Sequence, residues 1–163
     1  METIWAPWRY KYIRGIKDNN CVFCKIIKEN NDESNLIILR GEYNIIVLNK
    51  YPYTPGHLMV VPIIHIDNFR EMTDKGSIEF MSFIEYSINL LKKAFNAQGF
   101  NLGVNLGKVG GAGIIDHIHM HIVPRWQGDV NFMTTIGNTR VISESIIETY
   151  KKIKDVINNV ENK

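Results

Sequence analysis

The chain has 163 residues, of which 45% are apolar, 22% charged and 10% aromatic. That length suits one domain with a real core, and ordinary apolar and charged fractions exclude a largely disordered chain. Nineteen Lys and Arg against seventeen Asp and Glu leave a formal charge of +2, so charge gives no case for nucleic acid or a membrane surface as partner.

Residues 1–20 form an aromatic and basic leader with Trp5, Trp8, Tyr10 and Tyr12. It lacks the basic-then-apolar profile of a signal peptide. No apolar run approaches the ~20 residues of a membrane helix. Two cysteines three apart are a poor disulfide framework, so a reducing cytoplasm is the expected compartment. Cys21-Val-Phe-Cys24 predicts a tight turn leading into a short helix. Three β-rich runs follow, at about 36–40, 43–49 and 57–62, the last two separated by the turn Tyr51-Pro-Tyr-Thr-Pro-Gly56.

From about residue 75 the period changes. Ile78, Met81, Ile84, Ile88, Leu91 and Phe95 recur at helical spacing, and Gly99 marks the stop. Strands are predicted at about 100–105 and 114–123, joined by the glycine-rich stretch 106–113. Ser145-Ile-Ile-Glu148 has the form of a capping box and opens a second stripe through Tyr150, Ile153, Val156, Ile157 and Val160. No repeat or linker divides the chain, so 1–163 reads as one α+β domain with an antiparallel sheet.

The most informative segment is His117-Ile-His-Met-His-Ile-Val-Pro124, which holds three of the five histidines at two-residue spacing. In a strand His117, His119 and His121 share one face at about 7 Å intervals, with Ile118, Met120 and Ile122 on the other. Two chemistries compete for such a face. Three neutral imidazoles can ligate zinc with an open position for water. Alternatively, one imidazole attacks phosphorus while its neighbours orient it. The preceding loop carries Gly107, Gly110, Gly111 and Gly113, whose backbone N–H groups can approach an anion, and this favours a phosphate substrate.

His117-Ile-His-Met-His-Ile-Val matches the H-φ-H-φ-H-φ-φ signature of the histidine triad (HIT) superfamily. Asn49-Lys-Tyr-Pro-Tyr-Thr-Pro-Gly-His-Leu-Met-Val-Val-Pro62, followed by His65, resembles that family's second block. Pro124-Arg-Trp-Gln-Gly-Asp-Val-Asn-Phe132 is similar to the branch of bacterial diadenosine polyphosphate phosphorylases and hydrolases. The resemblance covers about 21–135 and the Trp-rich leader, and leaves 143–163 as a C-terminal helix. It implies a HIT-like fold, an antiparallel sheet of about five strands with one main helix and that terminal helix. It also implies a homodimer and no organic cofactor.

The implied activity is nucleotidyl transfer through a covalent nucleotidyl-histidine, with a dinucleoside polyphosphate, diadenosine tetraphosphate foremost, cleaved at an α-phosphorus. His119 is the implied nucleophile, the carbonyl of His117 its proton holder and His121 the phosphoryl ligand. His57 supports the triad, Asn49 lies where the family contacts ribose, and Asn105 with Gly107, Gly111 and Gly113 faces phosphate. Many members carry Gln, Ser or Thr where this chain has Gly113. A nucleoside phosphoramidase and a zinc-stabilised nucleotide-binding regulatory module are the alternatives.

Cys21-x-x-Cys24 is half of a zinc site. By resemblance to zinc-containing triad proteins and galactose-1-phosphate uridylyltransferases, His65 and His117 complete a structural Cys₂His₂ set. Trp126 and the leader tryptophans suit packing, a base pocket or a dimer seam. Arg125 and Lys108 are either phosphate contacts or surface charges.

Overall fold

The computed structural model describes residues 21–129, 142 and 144–161. The leader with its tryptophans and tyrosines, and the stretch 130–141, lie outside the described residues. The first helix, α1 (Val22–Lys28), starts directly after Cys21, whose carbonyl accepts the Lys25 N–H. Strands β1 (Ile37–Arg40), β2 (Asn44–Leu48) and β3 (Leu58–Pro62) follow, then helix α2 (Asp74–Phe95). Strands β4 (Gly99–Gly103) and β5 (Met120–Arg125) and helix α3 (Ile146–Glu161) complete the described strands and α-helices. The five strands form one antiparallel sheet in the order β1-β2-β3-β5-β4. This is the expected α+β architecture.

Every residue of β2 and β3 is buried, so both faces of the sheet centre are covered. That is why these strands read as continuous apolar runs and not as alternations. One face (Ile46, Leu48, Leu58, Val60) packs on Phe80, Ile84 and Leu91 of α2 and on Tyr150, Ile153 and Ile157 of α3. The opposite face (Ile45, Val47, Met59, Val61) packs on Phe23, Ile26 and Ile27 of α1. The capping box of α3 is present and reciprocal: Glu148 N–H donates to Ser145 Oγ at 3.2 Å, and Ser145 N–H donates to the Glu148 carboxylate at 3.1 Å. The Val160 side chain lies outside the described residues.

Two expectations are corrected. Ile78 and Met81 are 68% and 63% exposed, because α2 turns Phe80 inward in their place. Burying the larger aromatic surface is worth more than burying either aliphatic chain. The helix also ends before Gly99: Asn96 adopts the left-handed conformation (φ 50°) and caps it, while Gly99 opens β4. Pro124 extends β5 without harm, since β3 begins at Leu58 opposite Ile122 and needs no N–H from the residue beyond. Its carbonyl accepts the Thr54 hydroxyl at 3.3 Å.

Glu79 of α2 ties the helix to the β1–β2 turn. Its carboxylate accepts the N–H groups of Glu42 (2.8 Å) and Tyr43 (2.9 Å) and the Asn44 amide (2.9 Å). Partial burial alone raises its pKa, but the hydrogen bonds from Asn44, Glu42 and Tyr43 outweigh it, and the net shift is downward. A lowered folded pKa gives stability that is present above the ordinary carboxyl range, about 4.3, and is lost as pH falls through the folded value. Glu79→Gln therefore costs about 1–3 kcal/mol at pH 7, because an amide turns donors toward donors. The gap to wild type in urea melts closes below about pH 4. An equal gap at pH 7 and pH 3 contradicts this role.

Candidate active site and metal cluster

His121 sits in β5, paired with Met59 of β3 on one side and Gly103 of β4 on the other. His117 and His119 precede the strand, which corrects the expected strand over 114–123. The cause is Pro62, the last residue of β3. It has no N–H to offer a ladder, and its carbonyl accepts the His117 ring at 2.8 Å. Ile118 N–H bonds to Ile66 O instead, at 2.7 Å, and regular pairing starts at Met120. The alternation survives in part: Met120 and Ile122 meet the helix-side core, whereas Ile118 is buried outside it.

The imidazoles still converge. Ring centroids are 4.9 Å apart for His119 and His121 and 5.1 Å for His57 and His121. Backbone partners fix each tautomer, because a carbonyl only accepts and a peptide N–H only donates. His119 Nδ1–H donates to the His117 carbonyl at 2.8 Å, which leaves the lone pair on Nε2. Tyr53 N–H donates to His57 Nδ1 at 3.1 Å, so His57 carries its proton on Nε2 and donates it to His121 Nδ1 at 2.9 Å. Neutral His121 then carries its own proton on Nε2. Gly56, at φ +78°, makes the turn that delivers His57, and a side chain there would press on Leu91 and Phe95.

Electrostatics agrees with the hydrogen bonding. Burial, then the neighbouring His121 and His119 rings, push His57 down to about 3. Burial and His119 push His121 down to about 4. Burial also lowers His119, against the bond to the His117 carbonyl. An unfolded histidine takes up a proton near 6.5 while these rings stay neutral, so folding stability falls as pH drops from about 6.5 toward 4. Urea midpoints should decline between pH 7 and pH 5, ahead of the Glu79 effect. A flat midpoint over that interval argues against neutral buried rings.

On the far side of His117 lies a second cluster. Ligand atoms of Cys21, Cys24, His65 and His117 all lie within 4.8 Å of one another. His117 Nε2–H is held by Pro62 O, so its Nδ1 lone pair faces the thiols, 3.3 Å from Cys21 Sγ and 3.7 Å from Cys24 Sγ. His65 Nδ1 is 3.2 Å from Cys24 Sγ. Metal–sulfur and metal–nitrogen bonds of about 2.3 and 2.0–2.1 Å at tetrahedral angles separate S and N by roughly 3.5 Å. The four groups fit one such ion. Burial and the Cys21 thiol push the Cys24 thiol up, a penalty on the thiolate that a bound cation would offset.

Spacing did not reveal three groups that shape the site. Phe23, between the two cysteines, packs against both His117 (5.4 Å) and His119 (5.0 Å). The Pro62 carbonyl and the Tyr53 peptide act through backbone atoms, which leave no mark in a residue pattern.

Other expected residues are placed less centrally. Asn49 Oδ1 accepts Tyr51 N–H at 2.9 Å, and its amide nitrogen lies 3.3 and 3.5 Å from the two His57 nitrogens, over the ring face. The glycine loop leaves β4 beside His121 and returns to Met120. Gly107 and Gly111 take positive φ there, Asn105 reaches the Gly111 carbonyl at 3.5 Å, and Gly107, Gly111, Gly113 and Lys108 are exposed. No bond joins the loop to the imidazoles among the described residues. Arg125 donates to Asp129 and Asn101, and Trp126 Nε1–H donates to Phe95 O at 3.0 Å.

Comparison with known proteins follows the same lines. An AP-4-A phosphorylase of Mycobacterium tuberculosis is 38% identical over 157 residues, covering 91% of this chain and 80% of the relative. A solved histidine triad nucleotide-binding protein of Sulfolobus tokodaii, described as hypothetical, superposes with TM-score 0.68 at 29% identity, over 86% of this chain and 94% of that one. A zinc-bound histidine triad protein of Mycobacterium smegmatis shares the fold at TM-score 0.70 and 23% identity, over 88% and 97% of the two chains. The HIT domain model matches residues 30–128, more than half of the sequence and the whole span from before β1 to beyond the histidines. This chain belongs to the HIT family.

Proposed function

We propose that this protein cleaves dinucleoside polyphosphates, diadenosine tetraphosphate foremost, at an α-phosphorus by way of a nucleotide carried on His119. The observation that carries this reading is the 2.8 Å bond from His119 Nδ1–H to the His117 carbonyl. It fixes the tautomer whose Nε2 lone pair can attack phosphorus, and burial keeps that ring unprotonated. The 38% identity to a protein named for the same substrate supports it.

His121, donating through Nε2–H, binds the phosphoryl oxygens, and His57 holds His121 in that tautomer. Loop N–H groups of Gly107, Gly111 and Gly113, with Asn105, complete the phosphate side. Asn49 would exchange its bond to Tyr51 or its place over His57 to reach a ribose.

Cys21, Cys24, His65 and His117 hold a structural zinc, which binds α1 to the histidine segment. The leader, core and terminal helix act as one cytoplasmic domain in a homodimer, for which β4, an edge strand with Asn101, Leu102 and Gly103 exposed, offers a pairing edge. Among the described residues no helix is long and apolar enough to cross a membrane.

Product analysis with diadenosine tetraphosphate, with and without inorganic phosphate, tests the reading. ADP plus ATP in phosphate, or AMP plus ATP in water, supports it. Nucleotide binding without turnover in either overturns it and favours a regulatory module.

A further inference from the structure

Helix α1 is seven residues long, too short to hold its place in water by its own hydrogen bonds. Both of its ends are tied. At the first turn the Sγ atoms of Cys21 and Cys24 lie 3.3 and 3.7 Å from His117 Nδ1. At the other end the guanidinium of Arg40, the last residue of β1, donates to the carbonyls of Ile26 (3.3 Å), Ile27 (2.9 Å) and Glu29 (3.0 Å). Between these ties Phe23, 3% exposed, is the one buried residue of the helix. It belongs to the core cluster of Ile45, Val47 and Val61, and its ring also meets two imidazoles. Its centroid lies 5.0 Å from that of His119, tilted by 55°, and 5.4 Å from that of His117. Aromatic rings at such separations are in contact.

We infer that Phe23 is a positioning residue for the nucleophile: carried on α1, its ring holds the His119 imidazole at the angle from which Nε2 meets the α-phosphorus. The inference rests on the covalent reading above. The bond from Nδ1–H to the His117 carbonyl sets the tautomer but holds the ring at a single point. The histidine torsion about Cβ–Cγ is broad, so a ring held at one point still rocks about that bond. Attack requires reacting atoms about 3–3.5 Å apart and aligned, and a misplacement of about 1 Å can cost about 10²-fold. Among the described residues two rings touch His119: Phe23 and, at 4.9 Å, His121. In the mechanism above His121 is engaged with the phosphoryl oxygens, and the buried Phe23 ring is the fixed wall. Its side chain has no polar atom, so it acts on the direction of the lone pair and not on substrate affinity.

The test is single-turnover adduct formation from diadenosine tetraphosphate, read as a maximal rate and a half-saturating concentration, in variants matched to wild type in metal content. Phe23→Leu keeps an apolar side chain but removes the flat ring. Its maximal rate should fall about 10–100-fold. The half-saturating concentration should stay within about threefold, since ground-state binding is untouched. Phe23→Met fills the gap with an adaptable chain that has no rigid plane, and should show the same split if the leucine variant does not fold. Ile45→Val is the structural control. Ile45 lies in the same core cluster, on β2, which β3 separates from β5. It should lower the melting temperature and leave the rate unchanged.

Nitrogen-15 NMR supplies a readout that a purely structural role would not move. The His119 ring signals should broaden or split in the Phe23 variants and stay sharp in Ile45→Val. Wild-type rate and sharp His119 signals in a folded Phe23 variant overturn the inference while leaving the covalent reading intact. A loss of rate in Ile45→Val as large as in Phe23→Leu also overturns it, because general loosening of the core would then be the cause. So does a rise in half-saturating concentration that accounts for the whole loss, since Phe23 would then serve binding. Failure of the wild type to form any adduct overturns both readings.

Discussion

Replacing His119 with alanine should abolish both turnover and the covalent adduct while nucleotide still binds. His119 is the imidazole whose tautomer is set by the carbonyl of His117, with Nε2 accepting no bond from the described residues. Only a covalent route requires one particular ring to carry the nucleotide, and loss of a nucleophile removes the bond-forming group itself. The expected fall in kcat is on the order of 10⁴-fold or more. Acid-free quenching of the wild type during turnover should trap a nucleoside monophosphate on His119, labile to acid as a P–N bond is.

His121→Ala should cost less, about 10²–10³-fold, because in the proposed mechanism His121 donates to developing charge and makes no bond. The order of the two effects is the discriminating result. Near-normal turnover by the His119→Ala variant, or an adduct on another histidine, would sink the covalent mechanism. Equal losses in both variants would instead point to shared structural damage.

The parts of this molecule visible in the sequence are those encoded by side-chain identity at fixed spacing. The triad, the cysteine pair, the three early strands and the capping box of α3 all belong to that class, and the resemblance supplied His65 and His57. What stayed hidden depends on backbone atoms or on competition between alternatives. Ile78 and Met81 keep a helical period as good as that of Phe80 and Ile84, and only packing decides which stripe turns inward. His117 and His119 lie outside the strand because Pro62 lacks an N–H and gives its carbonyl to an imidazole. No pattern of histidines reveals that. The histidines' alternation was legible; their division between two clusters, with His117 facing the thiols and His119 turned from them, is a product of tertiary structure.

That division joins the Cys21–Cys24–His65–His117 cluster to the proposed nucleophile through one residue, which sets the expected effect of Cys24→Ser. His117 meets the thiols through Nδ1, Pro62 through Nε2 and His119 through its carbonyl. Phe23, carried between the two cysteines, packs on both imidazoles from α1. A bound zinc stabilises the folded chain by mass action, by about 4 kcal/mol at a thousandfold excess over its Kd. For a chain of this length each 1 kcal/mol shifts Tm by about 2–4 °C, so loss of the ion should lower Tm by roughly 10 °C.

The variant should bind little zinc and melt early, and a strong chelator should bring the wild type most of the way to the same Tm. Because His117 loses its anchor as well, the nitrogen-15 signature of the His119 tautomer should broaden or change in the variant, a readout independent of turnover. Elemental analysis of metal-replete wild-type protein should give about one zinc per chain, as one four-ligand site requires. Less than half an equivalent together with normal stability would mean that these four side chains are a thiol–imidazole cluster without a metal, held by the packing of Phe23 and the bond from His117 to the Pro62 carbonyl.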